Sequence, residues 1–125
     1  MVDVATQIAY WRAGAEEDWA VARELLDRGR VRHGLFLAHL ALEKVLKAHV
    51  CRQTGELAPR IHNLVRLAEL TAIELQQEHL DVLAEMNAFN VEGRYPGLLA
   101  PPTSGEARGY VVRAEGVFLW LMSLL

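Results

Sequence analysis

Apolar residues recur every three or four positions along nearly the whole chain, and nowhere do they alternate as a half-buried strand requires. From about Asp3 to Leu26, the residues Ile8, Trp11, Ala15, Trp19, Ala22, Leu25 and Leu26 fall on one face of a helix, which Gly29 closes. A second helix spans about Val31 to Gln53, with Leu35, Leu42, Val45, Leu46 and Val50 inward, and Gly55 beyond it suits a left-handed C-cap. GELAPRI then reads as a loop, because Pro59 lacks a donor and disfavours helix at Ala58. The third segment runs from about His62 to Val91 through Leu64, Leu67, Leu70, Leu75, Leu80, Leu83 and Met86, with a bend allowed for at Thr71 to Glu74. The fourth starts near Ser104 or Gly105, where TSGE has the form of a capping signal, and carries Tyr110, Val111, Ala114, Val117, Phe118 and Leu121.

The turn between the first two helices is short, which makes them antiparallel neighbours, and the later segments return across them. The expected fold is therefore all-α, an up-and-down antiparallel bundle, and a chain of 125 residues fits one domain over 1–125. Two features strain that simple picture. The connection from Glu92 to Thr103 is longer than the two to eight residues usual in bundles, which invites a functional explanation. The last helix is apolar nearly all round over VFLWLMSLL, more than one small bundle needs to bury, and this predicts a homo-oligomeric interface.

Composition narrows the setting. The one cysteine, Cys51, has no partner for an internal disulfide and no second ligand nearby for zinc, so a reducing cytoplasm is the expected compartment. MVDVATQIAYWR, with an early aspartate and no uninterrupted apolar run, is expected to be neither a signal peptide nor an anchor, and VFLWLM falls far short of the ~20 apolar residues a membrane span needs. Net charge is only −3, yet it is unevenly spread: nine Lys or Arg face four acids from Arg23 to Arg66, whereas Leu67 to Gly93 holds six acids and no base. Such polarity arises from ordinary solvated faces, or it marks a basic surface for phosphate or an acidic partner.

Candidate chemistry gathers in two places. In HLALEKVLKAH, His39, Glu43 and Lys47 form one stripe at i, i+4 and i+8, with Lys44 beside it. A His and a Glu four apart are half of a metal site, but no second half occurs, so no metal is expected. His33, His49 and His79 are expected at the surface or an interface, and His62, after the Pro59 loop, is expected to hold that turn by hydrogen bonds to its carbonyls or carboxylates. The second place is FNVEGRYPG at 89–97, where Pro96 ends a helix while Arg94 and Tyr95 ask for a reason. Phosphate loops following a strand and GxSxG nucleophile motifs are both absent.

Together, YWRAGAEEDWAVARELL, GLFLAHLALEKVLKAHV, IHNLVRLAEL and NVEGRYP, in this order and spacing, resemble a HEPN domain over nearly the whole chain. The resemblance implies a bundle of four to five helices that commonly dimerises. In bacteria such proteins are often encoded beside a minimal nucleotidyltransferase, with which they form a toxin–antitoxin-like module. It further implies that an Arg followed four to six residues later by His, near the start of a late helix, supports metal-independent cleavage of RNA. An arginine can stabilise charge developing on phosphate, and a histidine can move protons.

This chain departs from that nuclease pattern. Arg94 stands where the arginine is expected, but no histidine follows it to the end of the chain. The spacing does occur from Arg28 to His33 and from Arg32 to His39, at the wrong end of the fold and as often as chance allows. His39 is the one residue available to replace the missing histidine. Two readings of Arg94 and Tyr95 stand: a phosphate or base held beside His39, Glu43 and Lys47, or, preferred, an architectural role in which Arg94 pairs with Glu43 or caps a helix. The expected function is a homodimeric binding module partnered by a nucleotidyltransferase, with nucleotide or RNA as ligand and no cofactor. The alternative is a divergent metal-independent endoribonuclease acting on single-stranded RNA.

Overall fold

The computed structural model describes residues 3–90 and 102–125, and every regular element among them is helical. In chain order these are α1 (Val4–Asp27), α2 (Val31–Thr54), α3 (Leu64–Glu69), α4 (Gln77–Met86) and α5 (Ser104–Ser123). Helices α1 and α2 form a long antiparallel hairpin, and α5 lies against α2 while also touching α1 and α4. Gly29 takes φ 76° at the hairpin turn and Gly55 takes φ 69° at the end of α2, a region that costs glycine little. Near that turn the two helices pass closely. A Cβ on Gly34 would lie 2.5 Å from Leu26 Cγ and 3.3 Å from the Ala22 carbonyl oxygen.

The third segment, expected as one helix from His62 to Val91, is divided: among the described residues it holds α3, α4 and, after a turn at Asn87, a helical stretch at 88–90. Asn63 is the true N-cap, its Oδ1 accepting from the Arg66 N–H at 3.0 Å, so helix begins at Leu64 rather than His62. The break lies at residues 70–76, where the expected bend stood. There Thr71 Oγ1 donates to the Ala68 carbonyl at 2.8 Å and accepts from the Ile73 N–H at 3.2 Å, giving the backbone a local alternative to the helical ladder. Helices α3 and α4 fold back on one another: Asn87, at the end of α4, accepts the Leu64 N–H at 2.8 Å and donates to Asn63 Oδ1 at 3.2 Å.

Helix α5 starts on the Thr103 capping box. Thr103 Oγ1 accepts the Glu106 N–H at 3.1 Å, and Glu106 Oε1 accepts the Thr103 N–H at 2.9 Å, which holds the Glu106 carboxyl below its usual range. Its other end is finished by α2, where His49 Nε2 meets the Leu121 carbonyl at 2.8 Å and an Arg52 guanidinium N–H donates to the Leu124 carbonyl at 2.7 Å. The core between the helices is built on Leu35, Leu42, Leu46, Leu67, Leu83 and Leu121, all fully buried. Trp19 and Phe118 stack across α1 and α5 with centroids 4.8 Å apart.

Candidate functional site

Helix α2 is buried on most of its circumference, and this carries its polar stripe inside. His39 is fully buried, while Glu43 and Lys47 are each 5% exposed. Charged groups at such depth must be paired. Lys47 Nζ donates to Glu43 Oε2 at 3.1 Å, and the other oxygen, Oε1, lies 3.1 Å from His62 Nδ1. A carboxylate only accepts, so Nδ1 carries the hydrogen, and the loop before α3 is tied to the middle of α2. The Lys47 ammonium also sits 5.2 Å from the centroid of the Trp11 ring on α1. Lys44, one position round the helix, forms an ion pair with Asp18 of α1 at 2.8 Å, and its stem fills the space above Gly14.

The arrangement brings Glu43, Lys47 and His62 together as one internal network, with His39 one turn earlier on the same stripe. Both oxygens of Glu43 are engaged, and neither lysine turns an unpaired ammonium to solvent. As a phosphate site this stripe is therefore already neutralised. As a brace it joins α1, α2 and the loop before α3. Cys51 lies one turn beyond Lys47, and burial pushes its thiol up, with hydrogen bonding to the Ala58 backbone and the Trp11 side chain opposing the shift. Such a thiol is not poised as a nucleophile. Among the described residues no three His, Cys, Asp or Glu side chains gather as a metal site, and no helix is long and apolar enough to cross a membrane.

Arg94, Tyr95 and Pro96 lie outside the described residues. Two other placements went unforeseen. His49, expected at a surface or interface, is 4% exposed and serves the end of α5; burial lowers its affinity for a proton, the Leu121 carbonyl works the other way, and Arg52 adds to the lowering. Nothing in its position along α2 pointed to a carbonyl from a helix 72 residues away. Glu115 is the second: its Oε2 accepts from Trp19 Nε1 at 3.1 Å and from Arg23 at 2.7 Å, binding α5 to α1. The apolar pattern offered no hint of it, although a buried tryptophan ring needs an acceptor somewhere.

Known structures share this architecture. The bundle is similar to TT1696 from Thermus thermophilus, with TM-score 0.81, 19% identity, and 95% of this chain and 98% of that one covered. It is also similar to ST0689, an archaeal HEPN homologue, with TM-score 0.72, 20% identity, and coverage of 94% and 96%. At those identities the likeness is one of fold. No curated protein matches the chain significantly. The HEPN domain family model matches residues 8–124, which takes in nearly all of the bundle, and the chain belongs to the HEPN family.

Proposed function

We propose that this HEPN protein is a binding module without nuclease activity of its own. It acts as a cytoplasmic homodimer and as the partner of a separate minimal nucleotidyltransferase in a toxin–antitoxin-like pair, holding nucleotide or RNA phosphate at Arg94 and Tyr95. The observation that carries this reading is the complete burial of His39. A general base must come within about 2.6–3.2 Å of the proton it takes. With no histidine after Arg94, His39 was the one replacement, and a side chain with no exposed surface does not reach a 2′-hydroxyl. The engaged state of Lys44 and Lys47 leaves ligand binding to Arg94 and Tyr95.

The test has two arms. Purified protein is incubated with mixed-sequence single-stranded RNA in EDTA, beside folded Arg94→Ala and His39→Ala variants. It is also co-expressed with a minimal nucleotidyltransferase and sized by light scattering. The proposal expects intact RNA throughout and a stable hetero-complex built on a HEPN dimer. Cleavage that survives EDTA and disappears in the variants replaces the binding module with a ribonuclease. Intact RNA with no complex leaves the nucleotidyltransferase out of the account.

A further inference from the structure

The clearest unpartnered feature among the described residues is a groove between α4 and α5. It encloses about 530 Å³ and is lined by Glu78, His79, Asp81, Val82 and Glu85 from α4 and by Arg113, Gly116 and Val117 from α5. Val82 and Val117 give it an apolar floor. At Gly116 the floor is open, since a Cβ there would meet nothing within 4 Å. Val112 and Leu119, one turn to either side of Gly116 on the same stripe of α5, are 67% and 56% exposed. Neither lines the groove, Val112 lining instead the hollow beside Leu26 and Val31, so the apolar floor is confined to Val82, Val117 and the open seat at Gly116.

The rim is mainly acidic. Three carboxylates line the groove against one guanidinium, and Arg113 is held by Glu85 and lies 5.3 Å from the Tyr110 ring centroid. Glu78 and Asp81 have no cation beside them among the described residues, Asp81 meeting only the Gln77 amide at 2.9 Å. The far end is closed by His79 stacked on Trp120, centroids 4.3 Å apart. Phosphate and anionic membrane surfaces are repelled by such a rim. An apolar floor beside the carboxylates of Glu78 and Asp81 suits an amphipathic helix that seats one apolar anchor, with Lys or Arg flanking it.

We infer that the α4–α5 groove docks a basic amphipathic helix of another protein, with an apolar anchor seated over Gly116 and its flanking cations on Glu78 and Asp81. The occupant is not a second copy. In this chain α1 carries five acids against two bases, and α2, with four bases against one acid, spends its apolar face, from Leu35 through Leu42, Leu46 and Val50, in its own core. A copy would offer the charge without the anchor. The inference holds whether or not the partner is a nucleotidyltransferase.

The experiment uses the whole protein and a dye-labelled helical peptide with leucine at heptad spacing flanked by lysines, followed by fluorescence anisotropy. Binding is expected to weaken with salt, to fall at least tenfold in the Glu78→Lys, Asp81→Lys double variant, and to be lost in Gly116→Trp, which fills the seat. Val82→Ser, on the part-exposed floor of the groove, is expected to weaken it as well and stands in should the tryptophan variant misfold. Glu16→Lys with Glu24→Lys makes the same charge change elsewhere on the surface and is expected to leave binding as it was. Equal weakening by that control pair overturns the groove in favour of diffuse attraction. Unchanged binding in Gly116→Trp and in the serine variant overturns it too. A self-association that sedimentation detects in the wild type and that Gly116→Trp abolishes gives the groove to a second copy instead.

Discussion

Glu43 on α2 and Glu78 on α4 are both helical glutamates near basic or aromatic neighbours in sequence, and the fold treats them in opposite ways. Glu43 is drawn inside, where Lys47 and His62 occupy both its oxygens and the Trp11 ring covers the ammonium. Glu78 stays at the rim of an open groove with no cation beside it among the described residues. A carboxylate that the protein has already satisfied from within has little left to offer a ligand. One left to water, over an apolar floor, keeps its whole capacity to recruit a cation. The stripe that sequence made most conspicuous is thus the brace, and the acid-rich segment that looked like solvated surface is the better place to seek a partner.

The sharpest way to break this contrast is to remove Glu43. Glu43→Ala strands a buried lysine ammonium, and unfolding in urea is expected to show a loss of about 3–5 kcal/mol. Replacing both partners, as Glu43→Leu with Lys47→Met, removes the stranded charge, and His62 is exposed enough for water to serve it. That double variant is expected to recover most of the loss. A double variant as weak as the single one would mean that the network does more than neutralise itself.

Next in size is the close approach that fixes where the stripe sits. Gly34→Ala gains up to about 1 kcal/mol in helix propensity. Its methyl group, however, lands on Leu26 Cγ and near the Ala22 carbonyl, contacts that flexible side-chain ends cannot simply vacate. Overpacking costs of about 1–3 kcal/mol are the rule for such insertions, so a net loss near 1–2 kcal/mol is expected by thermal denaturation. Gly116→Ala, where a Cβ meets nothing, is expected to stabilise slightly.

The same contrast shows how much the sequence carried. Helices α1, α2 and α5 were legible from period and caps because Gly29, Gly55 and the Thr103–Glu106 box are local signals. The division of the third segment was only half legible. Apolar residues continue through residues 70–76 as Leu70, Ile73 and Leu75, although the leucines there are five apart, and what breaks the ladder is a hydroxyl that prefers its own backbone. The stripe of His39, Glu43 and Lys47 was legible as a stripe, but its neutralisation was not. The partners that close it, Trp11 and His62, approach from separate elements, and pairing across elements leaves no periodic trace in a single chain. His49 was missed for the same reason, its acceptor being a backbone carbonyl of α5.

That histidine supplies a pH test of the buried half of the comparison. Burial lowers the folded-state affinity of His49 for a proton, so the unfolded chain protonates first, around the ordinary value of 6.5. Stability that is complete above that value is expected to be lost progressively as pH falls below it, towards the lower folded-state value. His49→Gln retains an N–H for the Leu121 carbonyl and cannot titrate, so its stability profile between about pH 7 and pH 5 is expected to be flatter than that of the wild type. Equal slopes in the two proteins would place the sensitivity elsewhere.

The smallest expected effect falls on the open side, and its smallness is the point. Glu78→Lys and Asp81→Lys alter exposed positions whose contacts are with water and one amide, and surface changes of this kind stay within about ±0.5 kcal/mol. Reversing two charges in an acid-rich helix also relieves repulsion among Glu78, Asp81 and Glu85, which offsets the loss of an acid from the first turn of α4, where the helix dipole favours one. Denaturation midpoints are therefore expected to coincide with the wild type within that margin, while peptide binding at the groove falls. A loss of stability comparable to that of Glu43→Ala would mean that α4 spends its carboxylates on the fold after all, and the two regions would differ in exposure without differing in role.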